Sequence, residues 1–157
     1  MHESASTAVK SVDLLIPCKN EADSAAALMQ ALRRTLESMQ QPAAIAAADA
    51  IRYRLIIVDD GSADATRARF EELLQESGPI AGGTIISLSR NFGKEAAILA
   101  GLRECRADAC IIMDADLQDP PDLIGPMVDA WLAGYQVVNA VRHDRSSDSL
   151  MKRLSSD

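Results

Sequence analysis

Apolar residues fall into two kinds of run that alternate along the chain. Short runs of β type occupy residues 12–18, 55–58, 84–88, 109–113 and 136–141. Between them lie longer stretches, 22–39, 64–76, 94–106 and 121–133, in which apolar side chains recur at helical spacing. In the first of these, Leu28, Leu32 and Leu36 repeat every four residues and mark one face for burial. Strand followed by helix, repeated in this way, predicts an α/β domain whose sheet is mainly parallel and flanked by helices.

Turn residues agree with these boundaries. Gly61-Ser62 follows the second strand, Gly93 precedes the third helix, and Gly134 stands where the fourth helix should be capped. Pro120-Pro121 opens that fourth helix, where proline is tolerated in the first turn. Residues 40–50 are Ala-rich with one proline and read as a long loop or a short extra helix. The expected organisation is a disordered N-terminus over 1–10, one domain over 11–142 and a polar, Ser-rich tail over 143–157. That tail is either flexible or the beginning of a further part.

Composition narrows the function. Hydrophobic residues make up 48% of the 157, enough for a packed core, while aromatics are only 3%. The net charge of −7 argues against nonspecific nucleic-acid binding, which relies on clustered Lys and Arg. Cys18, Cys105 and Cys110 lack zinc-ligand spacing, and their odd number suits a reducing compartment; they read as small buried hydrophobes. Residues 1–10 have no apolar stretch of signal-peptide type, and no run approaches the roughly 18 residues needed to span a membrane. The chain by itself is therefore expected to be soluble.

Ligands of open parallel sheets bind beyond the carboxyl ends of the strands. Four polar clusters fall at those ends here: Pro17-Cys18-Lys19-Asn20-Glu21, Asp59-Asp60-Gly61-Ser62, Ser89-Arg90-Asn91-Phe92-Gly93-Lys94-Glu95 and Asp114-Ala115-Asp116-Leu117-Gln118-Asp119. Two carboxylates two residues apart, Asp114 and Asp116, suit one divalent cation that also accepts phosphate oxygens. The plainer reading makes one of them a turn cap and leaves the other to solvent. Asp59 and Asp60 divide between capping the turn before the second helix and reaching a nucleotide. Lys94 at a helix start would strengthen that helix end's attraction for anions, or be an ordinary surface lysine.

Taken together, Ile16-Pro17 with Asn20-Glu21, Val58-Asp59-Asp60-Gly61-Ser62, Leu88-Ser89-Arg90-Asn91-Phe92-Gly93-Lys94-Glu95 and Met113-Asp114-Ala115-Asp116-Leu117-Gln118-Asp119-Pro120-Pro121 resemble family 2 glycosyltransferases. Within them the similarity is to the branch that loads a sugar onto a polyprenyl phosphate, such as bactoprenol glucosyltransferases and dolichol-phosphate mannose synthase. It runs from about Val12 to Arg153. The resemblance implies a GT-A fold with a Rossmann-like nucleotide-binding half. It implies a nucleotide-sugar site made by Pro17, Lys19, Glu21, Asp59, Asp60, Arg90, Lys94, Asp114, Ala115, Asp116 and Arg142. Mg²⁺ or Mn²⁺ would sit on Asp114 and Asp116 with Gln118 as a further ligand. Lys19 stands where many relatives carry Tyr, which removes a stacking partner for the base. The resemblance also implies an acceptor half and membrane contact beyond Asp157, work at the cytoplasmic side of the inner membrane, and donor binding without lipid transfer by these residues alone.

The implied reaction is an inverting displacement. A phosphate monoester acceptor is largely ionised near neutral pH, with a second pKa of about 6, so it needs positioning more than a base. Asp119 is the one candidate for that role. Two other readings compete: a non-catalytic nucleotide-binding domain, and a receiver-type phosphoacceptor domain. The receiver reading requires an acidic pair after the first strand and a Lys after the fifth, whereas the pair Asp59-Asp60 follows the second strand and the fifth runs into Val141-Arg142-His143.

Overall fold

The computed structural model describes residues 9–40, 51–76 and 78–141. The expectations for 1–8, for the 41–50 connection, for Arg142 and for the 143–157 tail lie outside the described residues. The chain forms two compact units, Met1–Gly125 and Pro126–Asp157.

In the first unit, β1 (Ser11–Cys18), β2 (Arg52–Asp59), β3 (Ile80–Ser87) and β4 (Ala109–Ile112) form one sheet in the order β3-β2-β1-β4. Every pairing is parallel. The helices α1 (Ala25–Met39), α2 (Thr66–Leu74) and α3 (Lys94–Glu104) occupy the crossovers, as the alternating pattern predicts. A parallel sheet must be covered on both faces, so its central strands carry continuous apolar runs. Leu14, Leu15 and Ile16 of β1, and Leu55, Ile56, Ile57 and Val58 of β2, are all fully buried. On one face Leu15, Ile56 and Val58 pack with Ala97 of α3. The helix approaches closely because position 101 is glycine; a Cβ there would meet Leu15 Cδ1 at 2.1 Å.

The amino-terminal edge of the sheet is clamped by one buried carboxylate. Asp13 accepts two bonds of 2.9 Å from Arg54 on β2, and others from the backbone N–H groups of Arg106 and Ala107 before β4. Burial alone would push this carboxyl up. The Arg54 guanidinium and the two N–H groups outweigh it and hold it below the ordinary 3.8.

After a 3-10 turn (Pro121–Leu123) the chain enters α4 (Ile124–Leu132). Gly134, at φ 102°, ends α4 as expected: its N–H donates to Trp131 O and that of Tyr135 to Ala130 O. The expected fifth strand over 136–141 is not formed, and Val137 and Val141 are exposed. Strand preference belongs to a paired, half-buried surface, and the apolar run at 136–141 has no ladder partner among the described residues. Also among the described residues, no helix is long and apolar enough to cross a membrane.

The clamp predicts a pH signature. A carboxyl whose folded-state pKa is depressed contributes stability that is complete above its unfolded value near 3.8 and lost as pH falls through the folded value. Asp13→Ala should cost about 2–3 kcal/mol in urea unfolding at pH 7, toward the low end for a broken buried pair because Arg54 keeps contact with water. The deficit relative to wild type should shrink as pH falls below 4. An unchanged midpoint at pH 7 would show that the edge does not depend on this pair.

Candidate functional site

The order β3-β2-β1-β4 reverses direction between β1 and β4, and open α/β sheets bind ligands in the crevice at that switch point. A cleft of about 300 Å³ lies there. Its walls include Pro17, Lys19 and Glu21 after β1, Asp60 after β2, Asn91 and Lys94 at the start of α3, and Asp114, Ala115 and Asp116 after β4. The sequence motifs thus converge at one edge, as the strand ends require.

The loops that form the cleft hold one another through side chains. Asn20, at φ 55°, donates its N–H to Ser62 Oγ at 2.8 Å, and its Oδ1 accepts from Ala63 N at 2.9 Å. Glu21 N donates to Thr66 Oγ1 at 2.7 Å, and Ala22 N to Asp64 Oδ2 at 3.2 Å. The loop after β1 is therefore braced against the entry to α2. Composition alone does not disclose this brace; its only signal is the density of Asn, Ser, Asp and Thr at two neighbouring strand ends.

The two adjacent aspartates have separate tasks. Asp59 Oδ1 accepts from Ser62 N at 2.9 Å and closes the turn. Asp60 turns the other way, and its two oxygens accept from Phe92 N at 2.7 Å and Gly93 N at 2.9 Å. Both aspartates are 5% exposed. Gly61 makes the loops' approach possible: it sits at φ 66°, and a Cβ there would lie 2.5 Å from the Arg90 carbonyl carbon. Of the two, Asp60 lines the cleft and Asp59 is not among its lining residues.

With its loop fixed by Asp60, Lys94 opens α3 and places Nζ 2.5 Å from Asp114 Oδ1. Asp116 Oδ1 accepts from Gln118 N at 2.9 Å across Leu117, which takes the left-handed conformation at φ 61°. Gln118 reaches Asp116 through its backbone and does not line the cleft. Arg90 is exposed, with its guanidinium 4.7 Å from the Phe92 ring centroid, and it too is not among the lining residues. Among the described residues no group of three or more His, Cys, Asp or Glu side chains is gathered for a metal. Two hard carboxylates, one of them already carrying a cationic ammonium, nevertheless fit Mg²⁺ or Mn²⁺, which use few protein carboxylates and complete their shell with water and phosphate.

Cys18, Asn91 and Gly93, which the sequence places in the strand-end clusters but not among the nucleotide-sugar residues, also line the cleft, as does Ala97 of α3, which lies outside those clusters. Burial, then the carboxylates of Asp59, Glu21 and Asp64, push the Cys18 thiol up to about 12. It is neutral at pH 7 and serves as an apolar wall, not a nucleophile.

The sequence profile of glycosyl transferase family 2 matches residues 13–157. The chain belongs to this family. Among curated relatives, undecaprenyl-phosphate 4-deoxy-4-formamido-L-arabinose transferase of Pseudomonas fluorescens (strain SBW25) is 39% identical over 145 residues, covering 92% of this chain and 39% of that protein. The enzyme of the same name from Edwardsiella ictaluri (strain 93-146) is 38% identical over 151 residues, covering 94% and 42%. The chain thus spans about two-fifths of the length of these relatives. Among solved structures, the mannosyltransferase PcManGT from Pyrobaculum calidifontis, in complex with GDP-Man and Mn²⁺, aligns with a TM-score of 0.60 at 23% identity, covering 89% of this chain and 38% of that one. The expected glycosyltransferase fold, a parallel sheet flanked by helices, is the one observed.

The division between the aspartates is testable by hydrogen exchange. In Asp60→Asn one acceptor oxygen is replaced by a donor, so at least one of the Phe92 and Gly93 amides should exchange about tenfold faster, the effect of losing roughly 1.4 kcal/mol of hydrogen bonding. In Asp59→Ala, which removes the acceptor of the Ser62 N–H, those amides should keep wild-type rates while Ser62 exchanges faster. Equal effects of both variants on residues 92 and 93 would contradict the assignment.

Proposed function

We propose that this chain is the donor-binding part of a metal-dependent, inverting glycosyltransferase that moves a sugar from a nucleotide-sugar to a polyprenyl phosphate. The observation that carries the reading is the cleft at the β1/β4 switch point, where Asp114, Asp116 and Lys94 meet. The acceptor class is supported by the relatives whose names specify undecaprenyl phosphate and which match more than nine-tenths of this chain.

The work assigned to each residue follows from charge. Cleavage of the anomeric C–O bond leaves the electron pair on the departing diphosphate. Asp114 and Asp116 would hold the Mg²⁺ or Mn²⁺, which when bound supplies Lewis-acid stabilisation to that leaving group. Lys94, with the free N–H groups of the first turn of α3 behind it, offers a second positive site for phosphate oxygens. Asp60 keeps Phe92, Gly93 and hence Lys94 in place, and because it lines the cleft its remaining acceptor capacity would serve the nucleotide. Glu21, bonded to Ser24 Oγ, and Pro17 form the wall beside the base, with Lys19 in place of a stacking ring. Arg90, Arg142 and Gln118 remain proposed contacts to the sugar, the phosphates or the metal. The acceptor phosphate is its own nucleophile, so Asp119 is assigned no obligatory proton transfer.

The donor-binding chemistry is assigned to the unit Met1–Gly125, which holds the cleft, and the acceptor and membrane contacts are proposed for a part corresponding to the further length of the relatives. In the full-length protein, attack by an ionised lipid phosphate places the enzyme at a bilayer surface, on the face where the nucleotide-sugar is available.

Two measurements test the reading. Calorimetry should show nucleoside-diphosphate binding that tightens with Mn²⁺, and Asp116→Asn should remove at least tenfold of that gain, the scale of roughly 1.4 kcal/mol for one lost charged ligand. Unchanged metal-dependent affinity in a folded Asp116→Asn protein would take Asp116 out of the site. In the full-length protein, labelled sugar should pass into the organic-extractable fraction only when polyprenyl phosphate is supplied; label confined to water-soluble products would reject the lipid acceptor.

A further inference from the structure

Lys94 and Asp114 are side chains of opposite charge assigned above to two different partners, the donor phosphates and the metal. In the structure they hold each other, Nζ to Oδ1 at 2.5 Å. Lys94 is fixed only at its backbone, by the Asp60 bonds to the two residues before it and by the start of α3. Its side chain is 55% exposed, and that of Asp114 is 32% exposed. An ion pair so open to water is worth a factor of about five at most in an equilibrium, so it exchanges readily for a better partner.

From this geometry we infer that Lys94 is a tethered counter-ion that competes with the divalent cation for Asp114 until donor phosphate draws it away. The inference rests on the metal and donor assignments of the proposed function and adds an order of events to them. While Lys94 holds Asp114 the ammonium neutralises that carboxylate, so a metal alone must displace it and binds weakly. A diphosphate offers the ammonium a doubly charged alternative a short side-chain swing away. Once Lys94 pairs with phosphate, Asp114 is released to the metal. Nucleotide and metal then assist each other, partly by direct ligation and partly through this exchange of partners. Because binding coupling is reciprocal, the same lysine must raise the metal's effect on the nucleotide as it raises the nucleotide's effect on the metal. Lys94 is thus a positioning residue for the metal and a contact residue for the donor.

The deciding experiment is Mn²⁺ titration of nucleotide-free protein by electron paramagnetic resonance, in wild type, Lys94→Met, Asp114→Asn and the double variant, with folding checked by circular dichroism. Lys94→Met should bind Mn²⁺ alone more tightly than wild type, by up to about fivefold. That gain should vanish when Asp114→Asn is also present, as a double-mutant cycle reads directly. With nucleoside diphosphate added, Lys94→Met should bind the nucleotide more weakly and show a smaller mutual enhancement than wild type. Unchanged or weaker Mn²⁺ binding in folded Lys94→Met overturns the inference even if wild type binds nucleotide with metal as proposed. A gain that persists in the Asp114→Asn background overturns it too, since it would reflect net charge and not competition for Asp114. Absence of metal-dependent nucleotide binding in wild type would instead reject the proposed function itself, and with it this inference.

Discussion

The cleft depends on what one carboxylate does with two backbone N–H groups. Asp60 stands directly after β2 and accepts from Phe92 and Gly93, which lead into α3. Charge-assisted bonds of 2.7 and 2.9 Å from a carboxylate only 5% exposed are strong and directional. They fix the point at which α3 begins, and Lys94 is its first residue. Gly61 allows the contact by leaving out a Cβ that would collide with the Arg90–Asn91 backbone. A loop six residues long between β3 and α3 would otherwise be free to lie elsewhere, and the cation that meets Asp114 would have no defined position.

The sheet supplies the other constraint. β1 lies between β2 and β4, so its carboxyl end is flanked by loops from both directions of the winding. One side of that gap carries the acids after β4 and the other the brace of Asn20, Glu21, Ser62 and Thr66. The opposite edge is tied by Asp13, whose four bonds join β1, β2 and the approach to β4. Polar chemistry is thereby confined to the strand ends, and the middle of the sheet remains apolar on both faces. Rigidity of the frame is what would let half-exposed groups such as Lys94 and Asp114 change partners without disturbing the fold, as the inferred exchange requires.

Much of this frame was legible from residue order, because burial on both faces forces apolar runs and the punctuation between them is made of Gly, Pro, Asp and Ser. The limits are equally physical. β2 begins at Arg52, three residues before its apolar run, because Arg54 is a strand residue that pairs with buried Asp13; charge hid the strand. β3 begins at Ile80, four residues before its apolar run, and contains Gly82 and Gly83, residues of low strand preference; at Gly83 a Cβ would crowd Leu74 of α2. The run at 136–141 has strand composition and no ladder, since pairing is not encoded in one segment. Within the site, the motifs announced acids at strand ends. The division between Asp59 and Asp60, and the meeting of Lys94 with Asp114 twenty residues away, required the topology.

The account makes the β1/β4 cleft a place where cations and phosphates exchange partners. A crystal structure with Mn²⁺ and a nucleoside diphosphate, using the manganese anomalous signal, addresses that claim most directly. The account predicts an anomalous peak at Asp114 and Asp116 with the diphosphate beside it, and Lys94 Nζ moved from Asp114 to a phosphate oxygen. A nucleotide seated outside this cleft, or a metal bound while Lys94 still holds Asp114, would contradict it.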